Sequence, residues 1–411
     1  MITEINLIQL GFLLLISTLV IMLTNRLRIP YAVGLVIAGI ALAFIPGIPK
    51  FSLSKELIYS LFLPPLIFEA SFFIHWKNLN RDLPVIIILA TIGVVVSAGI
   101  TMLGMHYLAG WEWISAAIFG SLISATDPVT VIAALKESKI KGRLHLLLET
   151  ESLFNDGTAA VLFSITILIA TGTNVTFLGV SWEILKTVFG GVVCGALVAG
   201  VLLLLAGRSK NHLVELTLTT IAAYGSFLIS ENFGFSGILA TLTAGIIVGN
   251  IGPLGSITVK GREAVESFWE YAAFVINSLV FLLIGMAESS LRFSGAIKSI
   301  IFAIVLVLLG RAIVVYTFGA LFSHSKLKIS KSFQHVLFWG GFRGALALAL
   351  VLSLSTQIPH YEEIVTVTFV VVVVSILLQG LTLKPLLKRL GLIPNTEIRV
   401  LSEKAIEETK S

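Results

Sequence analysis

Apolar residues occur in long runs that are separated by short polar loops. Most of these runs are long enough for a helix that crosses a bilayer, which takes about 20 residues. The pattern predicts an all-α polytopic membrane protein with about thirteen transmembrane helices. We number the runs as segments 1 to 13, which cover 6–24, 30–45, 55–74, 83–108, 112–135, 145–171, 178–206, 212–230, 235–250, 264–287, 296–322, 332–356 and 361–383.

Charged residues are scarce, which excludes an ordinary soluble protein. The chain has 411 residues, of which 56% are hydrophobic and 12% are charged, whereas a soluble domain carries about 25% charged residues. Its 35 glycines suit closely packed helices in lipid, where small residues let backbones approach each other. Cys194 is the single cysteine, so neither an intrachain disulfide nor a cysteine-based metal site is expected.

Lys and Arg are distributed unevenly between the loops on the two sides of the membrane. One set of alternating loops, together with the C-terminal tail, holds 21 of the 28 basic residues. Because basic loops stay in the cytoplasm, this asymmetry predicts a cytoplasmic C-terminus and, with an odd number of spans, an external N-terminus. Residues 1–390 would form the transmembrane domain and 391–411 a short cytoplasmic tail. The net charge of +5 is then a topology signal, and nucleic-acid binding is not expected.

Two segments carry helix breakers near their middles. Segment 5 contains Asp127-Pro128, and segment 12 contains the glycine-rich run 340–344. Interrupted segments in corresponding halves of a chain indicate inverted repeats with a binding site between them. We therefore predict that these two interrupted helices are counterparts.

The break in segment 5 would expose ligands for a hard monovalent cation. Pro128 has no N–H, so the carbonyl of Ser124 loses its helical partner and must find protein, water or an ion at membrane depth. Asp127 adjoins this break, and Thr126 offers a carbonyl and a hydroxyl. The alternative is a structural kink in which Asp127 caps the second half-helix, a role that is compatible with ion binding.

Segment 6 carries acidic and amide residues on two helical faces. Carboxylates at membrane depth cost about 2.5 kcal/mol or more each, so they usually mark an ion or proton path. Ser152 and Asp156 are spaced i,i+4 and share one face, and Glu151 and Asn155 share the neighbouring one. Glu151 and Asp156 point roughly 140° apart at about 100° per residue. We infer that Asp156 with Ser152 faces the ion and that Glu151 faces a structural partner.

That partner should be an arginine, because an unpaired buried carboxylate is unfavourable. Arg311 in segment 11 and Arg343 in segment 12 are the two candidates, and we favour Arg311. Arg343 could instead stabilise carbonyl ends at the break and tune Asp127 or Asp156. Glu69, late in segment 3, would line a cytoplasmic-side cavity or complete the ion shell. The plainer alternative for Glu69 is a carboxylate that reaches interfacial water.

Several motifs together resemble one family of carriers. They are Thr-Asp-Pro at 126–128, Glu-Ser-Leu-Phe-Asn-Asp-Gly at 151–157, Phe-Trp-Glu-Tyr at 268–271 and Phe-Arg-Gly at 342–344. They resemble the sodium–proton exchangers of the monovalent cation–proton antiporter superfamily, prokaryotic type, in the branch that carries Asn-Asp at the ion site. The likeness covers nearly the whole chain, from Arg28-Ile29-Pro30 to the start of the tail.

The resemblance implies a homodimeric carrier in the cell membrane, and not an enzyme. Segments 4–6 and 11–13 would form a core bundle that moves against a dimerisation part made of segments 1–3 and 7–10. It also implies that the two interrupted helices cross at mid-membrane. The ion would be held by Asp127, Asp156, Ser152 and the Thr126 carbonyl, with Glu69 as a further candidate. Asn155 would orient the unwound part of segment 5.

The expected activity is exchange of Na⁺, and also Li⁺, for H⁺ by alternating access. Because Asn155 is neutral, the proton-bound and cation-bound carriers would differ little in charge, which indicates electroneutral one-for-one exchange. No cofactor is expected beyond the transported ions. The alternatives are K⁺/H⁺ exchange and a passive cation channel. An intramembrane aspartyl protease is disfavoured, because the chain lacks a Tyr-Asp or Gly-x-Gly-Asp pair.

Overall fold

The computed structural model describes residues 7–27, 29–45, 54–129, 131–132, 135, 140, 142–172, 176–252, 255–287 and 295–393. Helices dominate this part of the chain, and the prediction of an all-α membrane protein is confirmed. The helices are Leu7–Leu27, Tyr31–Ala43, Leu57–Phe72, Trp76–Ala109, Trp113–Ile123, Arg143–Ala170, Phe177–Ala206, His212–Asn232, Gly237–Ile251, Val259–Ala287, Ile297–Leu321, Lys331–Trp339, Ala345–Leu352 and Tyr361–Arg389.

Each predicted segment contains at least one of these helices. Within the described residues, eight helices are long and apolar enough to cross a membrane, and four apolar helices are shorter. Segment 12 is the pair of half-helices Lys331–Trp339 and Ala345–Leu352. Of the predicted cytoplasmic tail, residues 394–411 lie outside the described residues.

Several helices extend beyond the apolar runs that predicted them. Segment 4 begins at Trp76 instead of residue 83, and segment 13 ends at Arg389 instead of residue 383. The added turns are amphipathic: Leu79 and Leu387 are buried, while the basic residues Lys77, Arg81, Lys388 and Arg389 are exposed. Such turns lack the continuous apolar run that marks a membrane span, so hydropathy alone ends the helix too early.

Four helical stretches have the wider π-type turn, with hydrogen bonds between residues i and i+5. They follow one another at Leu57–Phe62, Leu89–Gly93, Met105–Ala109 and Ser375–Gln379. Single π turns inside α-helices often occur at functional sites, because they shift the side chains of one turn relative to the rest. The last of them lies beside the break in segment 12.

The helices pack as two groups. Segments 1–3 and 7–10 pack mainly among themselves, and we call them the flanking group; segments 4–6 and 11–13 do the same and form the core bundle. Segments 2 and 10 touch backbone to backbone at Gly39 and Gly285. A Cβ atom on Gly39 would lie 2.2 Å from the carbonyl oxygen of Leu282. Small residues thus permit a close helix contact within the flanking group.

A buried carboxylate ties the ends of the core bundle together. Asp82 is fully buried and accepts hydrogen bonds from Arg81 Nη2 at 2.9 Å and Arg143 Nε at 2.9 Å. Arg143 also donates to the carbonyls of Leu327 and Lys328, at 2.8 and 2.7 Å. One charged cluster therefore joins segment 4, segment 6 and the loop between segments 11 and 12.

Candidate ion site at two interrupted helices

The interruptions in segments 5 and 12 meet each other. The first half of segment 5 ends at Ile123, and the first half of segment 12 ends at Trp339. Between the half-helices, the Asp127 N–H donates to the Phe342 carbonyl at 2.8 Å. The two chain segments joined by this isolated bridge run antiparallel. The predicted breaks therefore lie at the predicted residues, and the two interrupted segments contact each other there.

Asp127 caps the second half of segment 5. Its Oδ1 accepts the Val129 N–H at 2.8 Å, and the helical hydrogen bonds resume with Ile132 N–H to the Pro128 carbonyl at 2.8 Å. Proline suits this first helical position, because its missing N–H has no partner to lose. The chain is therefore interrupted before Pro128 and not merely kinked. The capping alternative is confirmed, and the carboxylate still lines a cavity.

Arg343 satisfies the carbonyls that the break in segment 5 exposes. Its Nη1 donates to the Ser124 carbonyl at 3.1 Å and to the Ala125 carbonyl at 2.9 Å. These groups lie at the C-terminal end of a half-helix, where the aligned peptide dipoles favour a positive charge. Arg343 is 1% exposed, so bulk water does not solvate its guanidinium.

Glu151 is paired with Arg311, as the sequence analysis favoured. Glu151 Oε1 lies 2.6 Å from Arg311 Nη1, and Oε2 lies 2.7 Å from Nη2. Both side chains are buried. Arg311 Nη2 also donates to the Leu337 carbonyl at 2.9 Å. This bidentate ion pair therefore links segments 6, 11 and 12 next to the break in segment 12.

Asn155 connects this ion pair to the unwound part of segment 5. Its Oδ1 accepts the Thr126 N–H at 3.0 Å, and its Nδ2 donates to Thr126 Oγ1 at 2.6 Å and to Glu151 Oε1 at 3.2 Å. Ser152 Oγ lies 2.9 Å from Thr126 Oγ1. The amide thus uses both of its ends to hold the backbone next to Asp127.

A large acidic cavity adjoins the break. Its volume is about 390 Å³, and its lining includes Asn25 at the end of the segment 1 helix and Glu149 in segment 6, near the ends that adjoin basic loops. Thr126 lines it, whereas Ser152 lies behind Thr126 and does not. The cavity is also lined by five carboxylate side chains, namely Glu69, Asp127, Glu149, Asp156 and Glu270.

The structure therefore brings together most, but not all, of the residues singled out in the sequence. Asp127, Asp156, Thr126 and Glu69 share the acidic cavity, while Ser152 supports Thr126 from behind. Sequence reasoning missed Glu149, Glu270 and Tyr31 as lining residues. Glu270 stands inside the quoted motif at 268–271, and Glu149 lies two residues before the motif at 151–157. A carboxylate within an apolar segment was the available signal for both.

The chemistry of this arrangement follows from its two carboxylates and from the cavity that they line. Asp127 and Asp156 place negative charge and oxygen atoms at one end of a water-accessible cavity. A hard monovalent cation is bound by oxygen ligands of this kind, and either carboxylate can also take up a proton. Because both ions neutralise the same charge, they compete.

Comparisons with known proteins agree with this chemistry. Residues 12–389 match the family model described as sodium/hydrogen exchanger, transmembrane. The Na(+)/H(+) antiporter ApNhaP of Aphanothece halophytica is 39% identical over 370 residues, which are 89% of this chain and 70% of that protein. The Na(+)/H(+) antiporter NhaH of Halobacillus aidingensis is 31% identical over 403 residues, which are 94% of this chain and 98% of that protein.

A solved structure has a similar fold. The sodium proton antiporter MjNhaP1 of Methanocaldococcus jannaschii, determined at pH 8, superposes with a TM-score of 0.71 at 20% sequence identity. The superposition covers 90% of this chain and 97% of that chain. A second structure of the same protein, from electron microscopy, gives a TM-score of 0.76.

Proposed function

This chain belongs to the sodium/hydrogen exchanger family, and on that premise we propose that it is a secondary antiporter that exchanges Na⁺ for H⁺ across a membrane. The observation that carries the proposal is the pair of carboxylates, Asp127 and Asp156, in a cavity where two interrupted helices meet. The relatives that share about a third of their residues with the chain are named as transporters of these two ions, which supports a carrier and not an enzyme.

The exchange rests on competition for Asp156 and Asp127. A dehydrated Na⁺ needs the negative charge and oxygen atoms of these carboxylates together with an oxygen of Thr126. A proton needs one of the same carboxylate oxygens, so that loading one ion releases the other. An empty site would carry uncompensated charge through the low-dielectric part of the membrane, which is strongly unfavourable. The carrier therefore changes sides only when it is loaded, and this couples the two fluxes.

The neighbouring buried charges are held by fixed partners and would not change during exchange, which favours electroneutral exchange. Glu151 is paired with Arg311, and Arg343 lies against the helix-end carbonyls. Asn155 adds no charge. The net charge of the site then depends only on whether Na⁺ or H⁺ is bound, and both contribute a single positive charge.

The movement that changes sides would occur between the two helix groups. The core bundle carries Asp127 and Asp156, and the flanking group supplies Glu69, Tyr31 and Glu270 on the facing wall of the acidic cavity. A shift of the bundle against this wall would close the cavity on one side and open it on the other. The charged cluster around Asp82 joins several elements of the core bundle, which supports movement of the bundle as one body.

Further parts of the proposal concern placement and assembly. The lining of the acidic cavity includes residues near the basic loops, so we infer that the cavity would open to the cytoplasm, with the N-terminus outside. Segments 1 and 7 present many exposed apolar side chains, such as Leu19, Met22, Phe189 and Leu197. The bilayer and a second copy of the chain in a homodimer would cover these faces in the cell membrane, where the exchanger would serve pH and sodium homeostasis.

Proton flux in proteoliposomes tests the proposed activity. Purified protein is sealed into vesicles with a trapped pH-sensitive dye, and Na⁺, Li⁺ and K⁺ are offered in turn. We expect Na⁺ and Li⁺ to drive proton movement in the opposite direction. Proton movement with K⁺ alone would assign the chain to K⁺/H⁺ exchange. Ionic current without proton movement would instead indicate a passive channel.

A further inference from the structure

A second, smaller cavity lies among segments 11, 12 and 13. It has a volume of about 20 Å³ and shares no lining residue with the acidic cavity. Its walls are mostly apolar, with Val307, Val371 and Val374 among them. Three long polar side chains also line it: Arg311, whose charge is paired with Glu151, and the two side chains Arg343 and Gln379. This combination requires an explanation, because buried polar groups are normally hydrogen-bonded.

The side chains of Arg343 and Gln379 each have one atom without a hydrogen-bond partner among the described residues. Arg343 Nε and Gln379 Oε1 are buried and have no hydrogen bond to any described residue of the chain. The residues are 1% and 2% exposed, so bulk water does not satisfy either atom. Leaving a buried polar atom unsatisfied costs about 1–3 kcal/mol. Nε is a donor and Oε1 is an acceptor, and both line the same cavity.

We propose that one water molecule is bound in this cavity, where it accepts a hydrogen bond from Arg343 Nε and donates one to Gln379 Oε1. A bound water needs about 10–15 Å³ on this measure of volume, so the cavity holds one and not several. An anion in the cavity would be repelled by the negative end of the Gln379 side-chain carbonyl, and a cation would be repelled by the Arg343 guanidinium. Water alone matches a donor and an acceptor together.

The π turn of segment 13 makes this arrangement possible. Ser375–Gln379 forms that turn, and Ser375 Oγ accepts the Arg343 backbone N–H at 3.1 Å. One turn of segment 13 therefore holds Arg343 by its backbone and, through the water, by its side chain. The other end of the same guanidinium holds the carbonyls of Ser124 and Ala125.

Gln379 is thereby a positioning residue for the ion site, although it is not a lining residue of the acidic cavity. Its water holds the guanidinium on the Ser124 and Ala125 carbonyls, just before Asp127 in the chain. Without that water, Arg343 Nε has no hydrogen-bond partner. A turn of the guanidinium toward the Asp127 carboxylate would then lower its free energy. A positive side chain at that carboxylate competes with the transported cation. This functional consequence rests on the proposed exchange activity, whereas the water site itself does not.

A structure with resolved water tests the site directly. In a map of the wild-type protein at about 2 Å resolution, we expect a peak at about 2.7–3.2 Å from both Arg343 Nε and Gln379 Oε1. A map that resolves other buried waters but shows no peak there overturns the proposal. A direct hydrogen bond between the two side chains overturns it as well. This measurement depends on no variant and no transport activity.

Transport kinetics test the positioning role. For Gln379→Leu, we expect the Na⁺ concentration at half-maximal exchange to rise about tenfold, equivalent to the loss of one hydrogen bond to a charged group. The maximal rate should change much less. Gln379→Glu keeps an acceptor at the same position and should restore the Na⁺ concentration to within about threefold of wild type, which a purely structural role would not require.

The matched control is Leu381→Ala, on the same segment. Leu381 is exposed and lines neither cavity, so its replacement should leave the kinetics unchanged. An unaltered Na⁺ requirement in Gln379→Leu, or an equal loss in Gln379→Glu, overturns the positioning role. If the wild-type protein exchanges no Na⁺ for H⁺, the proposed function fails, while the map still decides whether the water is present.

Discussion

At the residue scale, we expect exchange to depend most on the side chain of Asp156. It lines the acidic cavity together with Asp127. We expect Asp156→Asn to abolish exchange while the protein stays folded, because an amide neither carries the negative charge that binds Na⁺ nor takes up the exchanged proton. Everted vesicles with a pH-sensitive dye provide the measurement, and thermal unfolding of the purified variant checks the fold. Sodium-driven recovery of dye fluorescence in the variant would contradict the prediction.

The Glu151–Arg311 pair should contribute to stability and not to ion binding itself. We expect Glu151→Gln to destabilise the protein by about 3–5 kcal/mol, because it leaves Arg311 buried without its counter-charge. Denaturant titration in detergent measures this loss. Adding Arg311→Met to Glu151→Gln should recover part of it.

An exposed ion pair in segment 7 is the matched control. Glu183 and Lys186 lie 3.3 Å apart, and both side chains are 42% exposed. Glu183→Gln should cost at most about 1 kcal/mol, since exposed pairs contribute little. Equal losses for Glu183→Gln and Glu151→Gln would show that the buried pair has no special role.

The sequence predicted which polar residues matter better than it predicted their directions. A buried Glu151 needs an arginine, and the apolar segments offer only Arg311 and Arg343. The sequence therefore limited the partner of Glu151 to two candidates. Ser152 was placed on the ion-facing side from helical spacing alone. In the structure its hydroxyl contacts Thr126, because the unwound chain of segment 5 lies against that part of segment 6. Helical angles carry no information about such a neighbour.

At the element scale, the two interrupted helices depend on a glycine where they touch. A Cβ atom on Gly344 would lie 2.0 Å from Asp127 Oδ2. We expect Gly344→Ala to raise the Na⁺ concentration at half-maximal exchange by about tenfold or more, since overpacking typically costs about 1–3 kcal/mol and here displaces an ion-binding carboxylate. Initial rates of Na⁺-driven proton flux over a range of Na⁺ concentrations measure it.

Gly200→Ala in segment 7 is the corresponding control. A Cβ atom there meets nothing within 4 Å, and alanine is a better helix former than glycine. This variant should exchange ions as the wild type does. If the two alanine variants behave alike, the contact between Gly344 and Asp127 does not matter for ion binding.

The sequence indicated the breaks but not all features of the helices. Pro128 and the glycines of 340–344 interrupt a helix by local chemistry, so both breaks could be located in advance. The π turn at Ser375–Gln379 has no comparable local signal in its sequence. It packs against the helix Tyr31–Ala43, from the opposite end of the chain, and Ser375 contacts Arg343 in the preceding segment.

At the scale of the whole molecule, the acidic cavity should be open to water from the cytoplasmic side. Phe274 lines the cavity and is 43% exposed. In a Cys194→Ser background, we expect Phe274→Cys to react with a membrane-impermeant maleimide applied from the cytoplasmic side. Labelling only from the outside would reverse the orientation inferred from the basic loops.

A phenylalanine of similar exposure provides the control for this labelling. Phe12 in segment 1 is 40% exposed and does not line the acidic cavity. Phe12→Cys should stay unlabelled from either side if lipid or a second copy of the chain covers it. Equal labelling of the two cysteines would mean that exposure, and not the cavity, determines the reaction.

The division into two helix groups is the property of the whole molecule on which alternating access depends. No local pattern in the sequence indicates this division, since segments 1–3 and 7–10 are separated along the chain and meet only in the fold. Only the resemblance to a known family implied it. Contacts such as Gly39 with Gly285 arise between segments more than two hundred residues apart, and no local pattern reports them.

The most direct test of the account follows both ions at once in sealed vesicles. Radioactive Na⁺ uptake and proton efflux are recorded together on the purified protein, while valinomycin and K⁺ clamp the membrane potential at zero and then at a strongly negative value. We predict one proton released for each Na⁺ taken up, at a rate that the potential does not change. Na⁺ uptake without opposing proton flow would contradict the claim that both ions compete for one carboxylate site.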